Sequence, residues 1–95
     1  MKNCIDFLEF LKTGGKYTGV VKDTYGNDII IYTTYENGIP HGKCWSEDNK
    51  GNLLYTNEFK YGLREGIAID YRNPSIIIKI TYKNGKIISY TTEPI

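Results

Sequence analysis

Cysteine is scarce: Cys4 and Cys44 are the only two in 95 residues. A pair this far apart supplies neither a disulfide framework nor the ligand spacing of a zinc site. Both are expected to be simple thiols, with Cys44 in or near the core. There is one histidine, His41, one tryptophan, Trp45, and one methionine. A Cys–His nucleophile needs an orienting third group, and nothing in the chain marks one. No apolar run approaches the ~18 residues that span a bilayer. Neither sign of charge dominates, with 12 Lys and Arg against 11 Asp and Glu. Without a basic stripe, a dedicated nucleic-acid or anionic-membrane binder is disfavoured. The N-terminus lacks a basic region followed by an apolar core, so the expectation is a cytoplasmic protein of a cell or of a virus-infected host. Length predicts one domain, residues 1–95. Such a chain buries only about 60–70% of its unfolded surface, which leaves little room for a deep enclosed active site.

Tyrosine and isoleucine are plentiful, and both favour strands. Glycine is regularly placed. Gly-x-x-x-Gly occurs at Gly15–Gly19, Gly38–Gly42 and Gly62–Gly66. The first glycines lie 23 and then 24 residues apart, and Gly85 follows 23 residues later. A period this regular signals an internal repeat. The expected fold is mainly β: a single elongated antiparallel sheet of about three hairpins, over residues 15–88. A short capping helix is expected over residues 3–13 and a tail over 89–95. Asn3 would cap that helix, Cys4, Phe7, Leu8 and Leu11 would form its apolar stripe, and Gly14-Gly15 would end it.

Each unit holds two strands and a closing turn. The second strands overlay as Ile29–Tyr35, Leu53–Phe59 and Ile76–Tyr82. Alternate residues share a face, so Ile29, Ile31, Thr33 and Tyr35 and their equivalents are assigned to the core. Tyr35, Phe59 and Tyr82 close the three strands and should stack on one another between units. Phe59→Ala is then the most damaging aromatic change. Asn37-Gly38 and Asn84-Gly85 are strong hairpin turns, because both residue types accept positive φ. Pro74 replaces glycine in the third unit and stiffens that turn. Lys86–Thr92 offers a last strand, and Pro94 discourages pairing beyond it.

The segments Tyr35-Glu-Asn-Gly-Ile-Pro-His-Gly and Phe59-Lys-Tyr-Gly-Leu-Arg-Glu-Gly resemble MORN-type repeats. Tyr82-Lys-Asn-Gly-Lys begins another copy. The chain looks most similar to the bacterial and viral antitoxin-like variant of that family. The resemblance implies successive hairpins in one sheet and a scaffold or interaction module, not an enzyme. Trp45 falls one place later than the family's common aromatic.

His41 overlays on Thr18 and Glu65, and a position filled by three such different residues reads as a surface turn site. Asp23, Asp48 and Asp70 precede turns, where carboxylates cap loops. No catalytic, cofactor-binding or metal-ligating residue is assigned. Tyr25, Trp45, Tyr61, Tyr71 and Tyr90 fall outside the clearest core register. Tyr and Trp are favoured interface anchors. The candidate partner-binding face is therefore centred on Trp45, with Tyr71 and Tyr61 and with Arg64 or Arg72 at its rim. The expected function is binding of another protein, as an antitoxin, an immunity protein or a phage-encoded inhibitor of host defence. The alternative is a structural repeat protein that self-associates or docks on a membrane surface.

Overall fold

The computed structural model describes residues 4–95. It shows a mainly β chain with one open mixed sheet and one short helix. The elements are β1 (Cys4–Asp6), α1 (Phe7–Lys12), β2 (Gly19–Tyr25), β3 (Ile29–Glu36), β4 (Ile39–Asp48), β5 (Leu53–Lys60), β6 (Leu63–Arg64), β7 (Gly66–Asp70), β8 (Ile76–Lys83) and β9 (Lys86–Pro94). The order across the sheet is β1-β2-β3-β4-β5-β7-β8-β9, with β6 also on β5. Every pairing is antiparallel except β1 on β2, which is parallel. The sheet is therefore mixed, not purely antiparallel as expected.

The N-terminal segment departs most from expectation. The helix begins at Phe7, and Cys4 lies in β1. Asn3 falls outside the described residues. Asp6 caps the helix: its Oδ1 accepts the Glu9 N–H at 2.8 Å while Glu9 Oε1 accepts the Asp6 N–H at 3.3 Å. This reciprocal capping box satisfies two free donors and fixes the start. A helix of six residues presents little inward face. Phe10 is its buried residue, whereas Leu8 and Leu11 are exposed. Phe10 packs on Tyr35 with ring centroids 4.5 Å apart, closing one end of the sheet.

Buried side chains collect on the face that α1 covers. Register aligns Val21, Thr33, Cys44 and Asn57 in one row across four strands. Tyr55 opposite Asp70, and Asp70 opposite Ile78, carry the same face into β8. Ala68, Ile80 and Tyr82 lie on it too. Ile29 and Leu53, expected in the core, are exposed. They sit at strand ends beside the Asp48 turn, where none of the described elements covers them. The expected stacking of rings between units is also replaced: Tyr35 takes Phe10, and Tyr82 takes the Arg64 guanidinium, 5.4 Å from its ring centroid.

The closing turns share one device. Asn37, Tyr61 and Asn84 adopt φ near +50° (52°, 48° and 51°). The N–H of each donates to a side chain one strand away: Thr18 Oγ1 at 2.8 Å, His41 Nδ1 at 3.0 Å and Glu65 Oε1 at 2.9 Å. The following glycine N–H groups donate to the carbonyls of Tyr17, Pro40 and Arg64 at 3.0, 2.8 and 2.9 Å. Thr18, His41 and Glu65 are thus turn acceptors and not indifferent surface positions.

The segment expected as a tail, 89–95, is largely strand. β9 runs through Pro94, which pairs with Ile76. Proline is tolerated there because β9 is an edge strand in the order described, and its missing N–H need not feed a further ladder.

Candidate functional site

Trp45 lies in the middle of β4, between Tyr32 on β3 and Thr56 on β5. Since Cys44 faces the helix-bearing side, alternation turns Trp45 to the other side. Its indole stacks on Tyr32, centroids 5.1 Å apart and planes 14° apart. The stack leaves Trp45 half-buried and holds one of its faces. β7 reads Gly-Ile-Ala-Ile-Asp, so Ile67 and Ile69 emerge on the Trp45 side while Ala68 faces the core. Just beyond β7, the Tyr71 N–H donates to the Leu54 carbonyl at 2.9 Å, which anchors that ring beside β5.

These residues enclose an open groove of about 620 Å³. Trp45, Tyr71, Ile67 and Ile69 supply its apolar surface, and Lys43, Glu47 and Glu58 supply charges of both signs. A mostly apolar concavity with few charged groups suits a protein side chain or a short segment better than a polyanion.

Trp45 and Tyr71 therefore meet in one site. The other three residues singled out in the sequence do not join it. Arg64 shares the face of Phe59 and lies over Tyr82. Arg72 folds back on Asp70, with Nε and Nη2 at 2.9 and 2.7 Å from the two carboxylate oxygens. Its guanidinium also lies over Tyr55, 5.8 Å from the centroid. Both arginines consequently sit across the sheet from the groove and do not rim it. Tyr61 belongs to a closing turn, its ring tilted against His41 with centroids 4.3 Å apart. Ile67 and Ile69 were overlooked in the sequence. Their signal was the alternation of two isoleucines about one alanine.

On the helix-bearing face, a second groove of about 330 Å³ is lined by residues that include Tyr35, Tyr55, Asn57, Phe59 and Arg64. Asn57 is buried, and its Oδ1 has no hydrogen-bond partner among the described residues. Beside it, burial pushes the Cys44 thiol up, opposed by the Thr33 hydroxyl at 3.5 Å and by Arg64. A thiol held protonated is a poor nucleophile. His41 Nδ1 is committed to the Tyr61 N–H. Among the described residues, no group of three or more His, Cys, Asp or Glu side chains is arranged to hold a metal ion. Nor, among them, is any helix long and apolar enough to cross a membrane.

Turn carboxylates account for the remaining perturbed acids. Asp48 accepts from the Asn52 side chain and from the Asn52 and Lys50 N–H groups, and these bonds hold its carboxyl below the usual range. Asp70 is lowered mainly by its hydrogen bonds to the Arg72 side chain. Both are structural caps of the loops that follow β4 and β7. A scan against protein-family models finds no match for this chain, and a search of curated proteins finds no similar sequence.

Proposed function

We propose that this chain is a non-catalytic protein-binding module that seats its partner in the Trp45–Tyr71 groove. The observation that carries the reading is the groove itself. One Trp on β4 and one Tyr just past β7, with β5 between them, converge with Ile67 and Ile69 on the face away from the buried row. Rigid aromatic anchors in a concave apolar site are the usual centres of binding energy between proteins. The Tyr32 stack keeps Trp45 ordered before binding, which lowers the entropy lost on association.

The likeness to MORN-type hairpin repeats belongs to the same proposal. It is supported by the common hydrogen bonding at Asn37, Tyr61 and Asn84, whose acceptors recur at 23- and 24-residue intervals along the chain. A small recognition sheet of this kind, acting in the cytoplasm, fits an antitoxin, an immunity protein or an inhibitor of a host defence protein.

The test is affinity capture from the native host with wild type, Trp45→Ala and Tyr71→Ala, followed by titration calorimetry with the recovered partner. Loss of either ring should weaken binding roughly thirtyfold or more. Far-UV circular dichroism should stay unchanged for Tyr71→Ala, whose ring is more exposed. A partner bound equally by wild type and by the folded Tyr71→Ala and Trp45→Ala variants would place the binding face elsewhere.

A further inference from the structure

The two edges of the sheet are treated differently. At one, β1 and α1 cover β2. At the other, β9 presents a nine-residue strand whose every residue is exposed, with Ile87, Ile88 and Tyr90 each about 60–70% accessible (59%, 61% and 68%). An open edge of this length is a template for another strand. An apolar groove of about 240 Å³, lined by Ile78, Ile80, Ile87 and Tyr90, adjoins it.

We propose that two copies of this chain pair through β9, antiparallel about a two-fold axis at Tyr90. This is independent of the groove at Trp45. The argument is one of register and charge. A two-fold axis perpendicular to the sheet must join like face to like face. β9 carries a bulge: Thr81 pairs with Ser89 but Tyr82 pairs with Ile87, so Ile88 is the extra residue. The bulge changes the alternation. Lys86 opposite Lys83, and Glu93 opposite Ile77, place both charges on the face of Lys79, away from the helix-bearing side. Without the extra residue, Lys86 and Glu93 would face opposite sides.

With Tyr90 set against its own copy, Ser89 meets Thr91 of the second chain. The bulged Ile88 is passed over, Ile87 meets Thr92, and Lys86 meets Glu93. Symmetry makes the Lys86–Glu93 pair occur twice. On the helix-bearing face, each Tyr90 lies beside the other copy's apolar groove, so the seam is apolar on one side and charge-matched on the other. Glu93 already accepts from Lys79 on the inner neighbour β8 through Oε2 at 3.2 Å, which keeps its carboxylate on this face of the sheet. A bulge, a terminal proline and charges ordinarily protect an edge from indefinite pairing. Here they select one closed register: slipping by two residues sets Lys86 against Thr91 or leaves it past the strand end.

The test is sedimentation velocity across a concentration series with wild type, K86E and E93K, checked for folding by circular dichroism. Wild type should show a reversible dimer. Each single variant places like charges together twice and should raise the dissociation constant roughly tenfold. An equimolar mixture of K86E and E93K recreates both attractive pairs and should return to wild-type affinity as a heterodimer. A mixture of E93K with K60E, which carries the same charge change at the end of β5 and leaves Lys86 and Glu93 intact, should show K60E homodimers of wild-type affinity and E93K–K60E heterodimers weaker than the K86E–E93K ones. A wild type that stays monomeric up to millimolar concentration would overturn the proposal. So would single variants that dimerise as well as wild type, or E93K–K60E heterodimers as tight as the K86E–E93K heterodimer.

Discussion

Gly38→Ala should be far more damaging than Gly26→Ala, although both replace a turn glycine at positive φ. Gly26 (φ +62°) has nothing within 4 Å of the position a Cβ would take. Its substitution should cost only the backbone penalty of an L-residue in the left-handed region, about 1–2 kcal/mol. Gly38 (φ +83°) has the same penalty and a second problem. Its Cβ would overlap the Gly15 carbonyl oxygen, with the Gly15 carbonyl carbon at 2.7 Å and Lys16 Cα at 3.3 Å. All three are backbone atoms, so no side-chain tip can swing aside. The segment after the helix must move as a piece, and it carries two hydrogen-bond acceptors. Tyr17 O takes the Gly38 N–H at 3.0 Å, and Thr18 Oγ1 takes the Asn37 N–H at 2.8 Å. Each bond is worth about 0.5–1.5 kcal/mol. The expected loss is therefore about 2–5 kcal/mol, against a total of about 5–14 kcal/mol for a domain of this length. Urea denaturation of both variants measures the difference, provided their m-values agree. Two alanine variants within about 0.5 kcal/mol of each other would refute the close-approach argument.

Tyr82→Ala should cost about 3–5 kcal/mol, because the ring is 8% exposed and also carries the Arg64 contact. Phe59→Ala, at a half-buried ring, should cost less by about 1 kcal/mol or more. Equal denaturation midpoints would reverse the structural ranking. The pH dependence follows from Asp48 and Asp70, whose folded-state pKa values are depressed. A depressed carboxylate stabilises the fold above its unfolded pKa of about 3.9 and ceases to do so as pH falls through the folded value. Stability should thus fall as pH drops below about 4. Asp70→Asn should be less stable at neutral pH yet flatter in that window; an unchanged acid slope in the Asp70→Asn/Asp48→Asn double variant would refute the assignment.

The strands were largely legible because alternation needs no tertiary information. β3, β5 and β8 follow the runs of Ile, Leu, Thr and Tyr, and two of the positive-φ closing turns fall at Asn37-Gly38 and Asn84-Gly85 as predicted, with Tyr61-Gly62 in the same place between them. The helix start was not legible, since Asn3 and Asp6 both satisfy the capping preference. Only the reciprocal bond with Glu9 separates them, and the brevity of α1 then exchanges a predicted stripe for Phe10 alone. The aromatic half of the candidate site was legible, as Trp45 and Tyr71 fall outside the buried register. Its basic rim was not. Arg64 and Arg72 are drawn to Tyr82, Tyr55 and Asp70 by contacts that cross strands. The acceptor position was located, but its role was hidden. Thr18, His41 and Glu65 differ in size and charge, and share only a lone pair aimed at a backbone N–H.

That shared acceptor links the turns to the groove. Adjacent residues on β4 have opposite environments: Cys44 is buried and Trp45 opens onto the groove. A slip of one residue between β4 and β5 would exchange them, with the same consequence for every side chain of the strand. Irregular pairing brings such a slip within reach: the β4–β5 register already shifts between Ser46 and Glu47, and β3 shifts between Thr33 and Tyr35 opposite the His41-Gly42 segment. The Tyr61 N–H bonded to His41 Nδ1, and the Gly62 N–H bonded to Pro40 O, tie the end of β5 to the start of β4 across that irregular stretch. Thr34 Oγ1 donates to the Lys43 carbonyl at 2.7 Å and secures its other side. The side chain at position 41 thus shapes the groove without lining it: by fixing the turn it fixes the register, and the register decides that Trp45, and not Cys44, is the side chain turned toward Ile67, Ile69 and Tyr71.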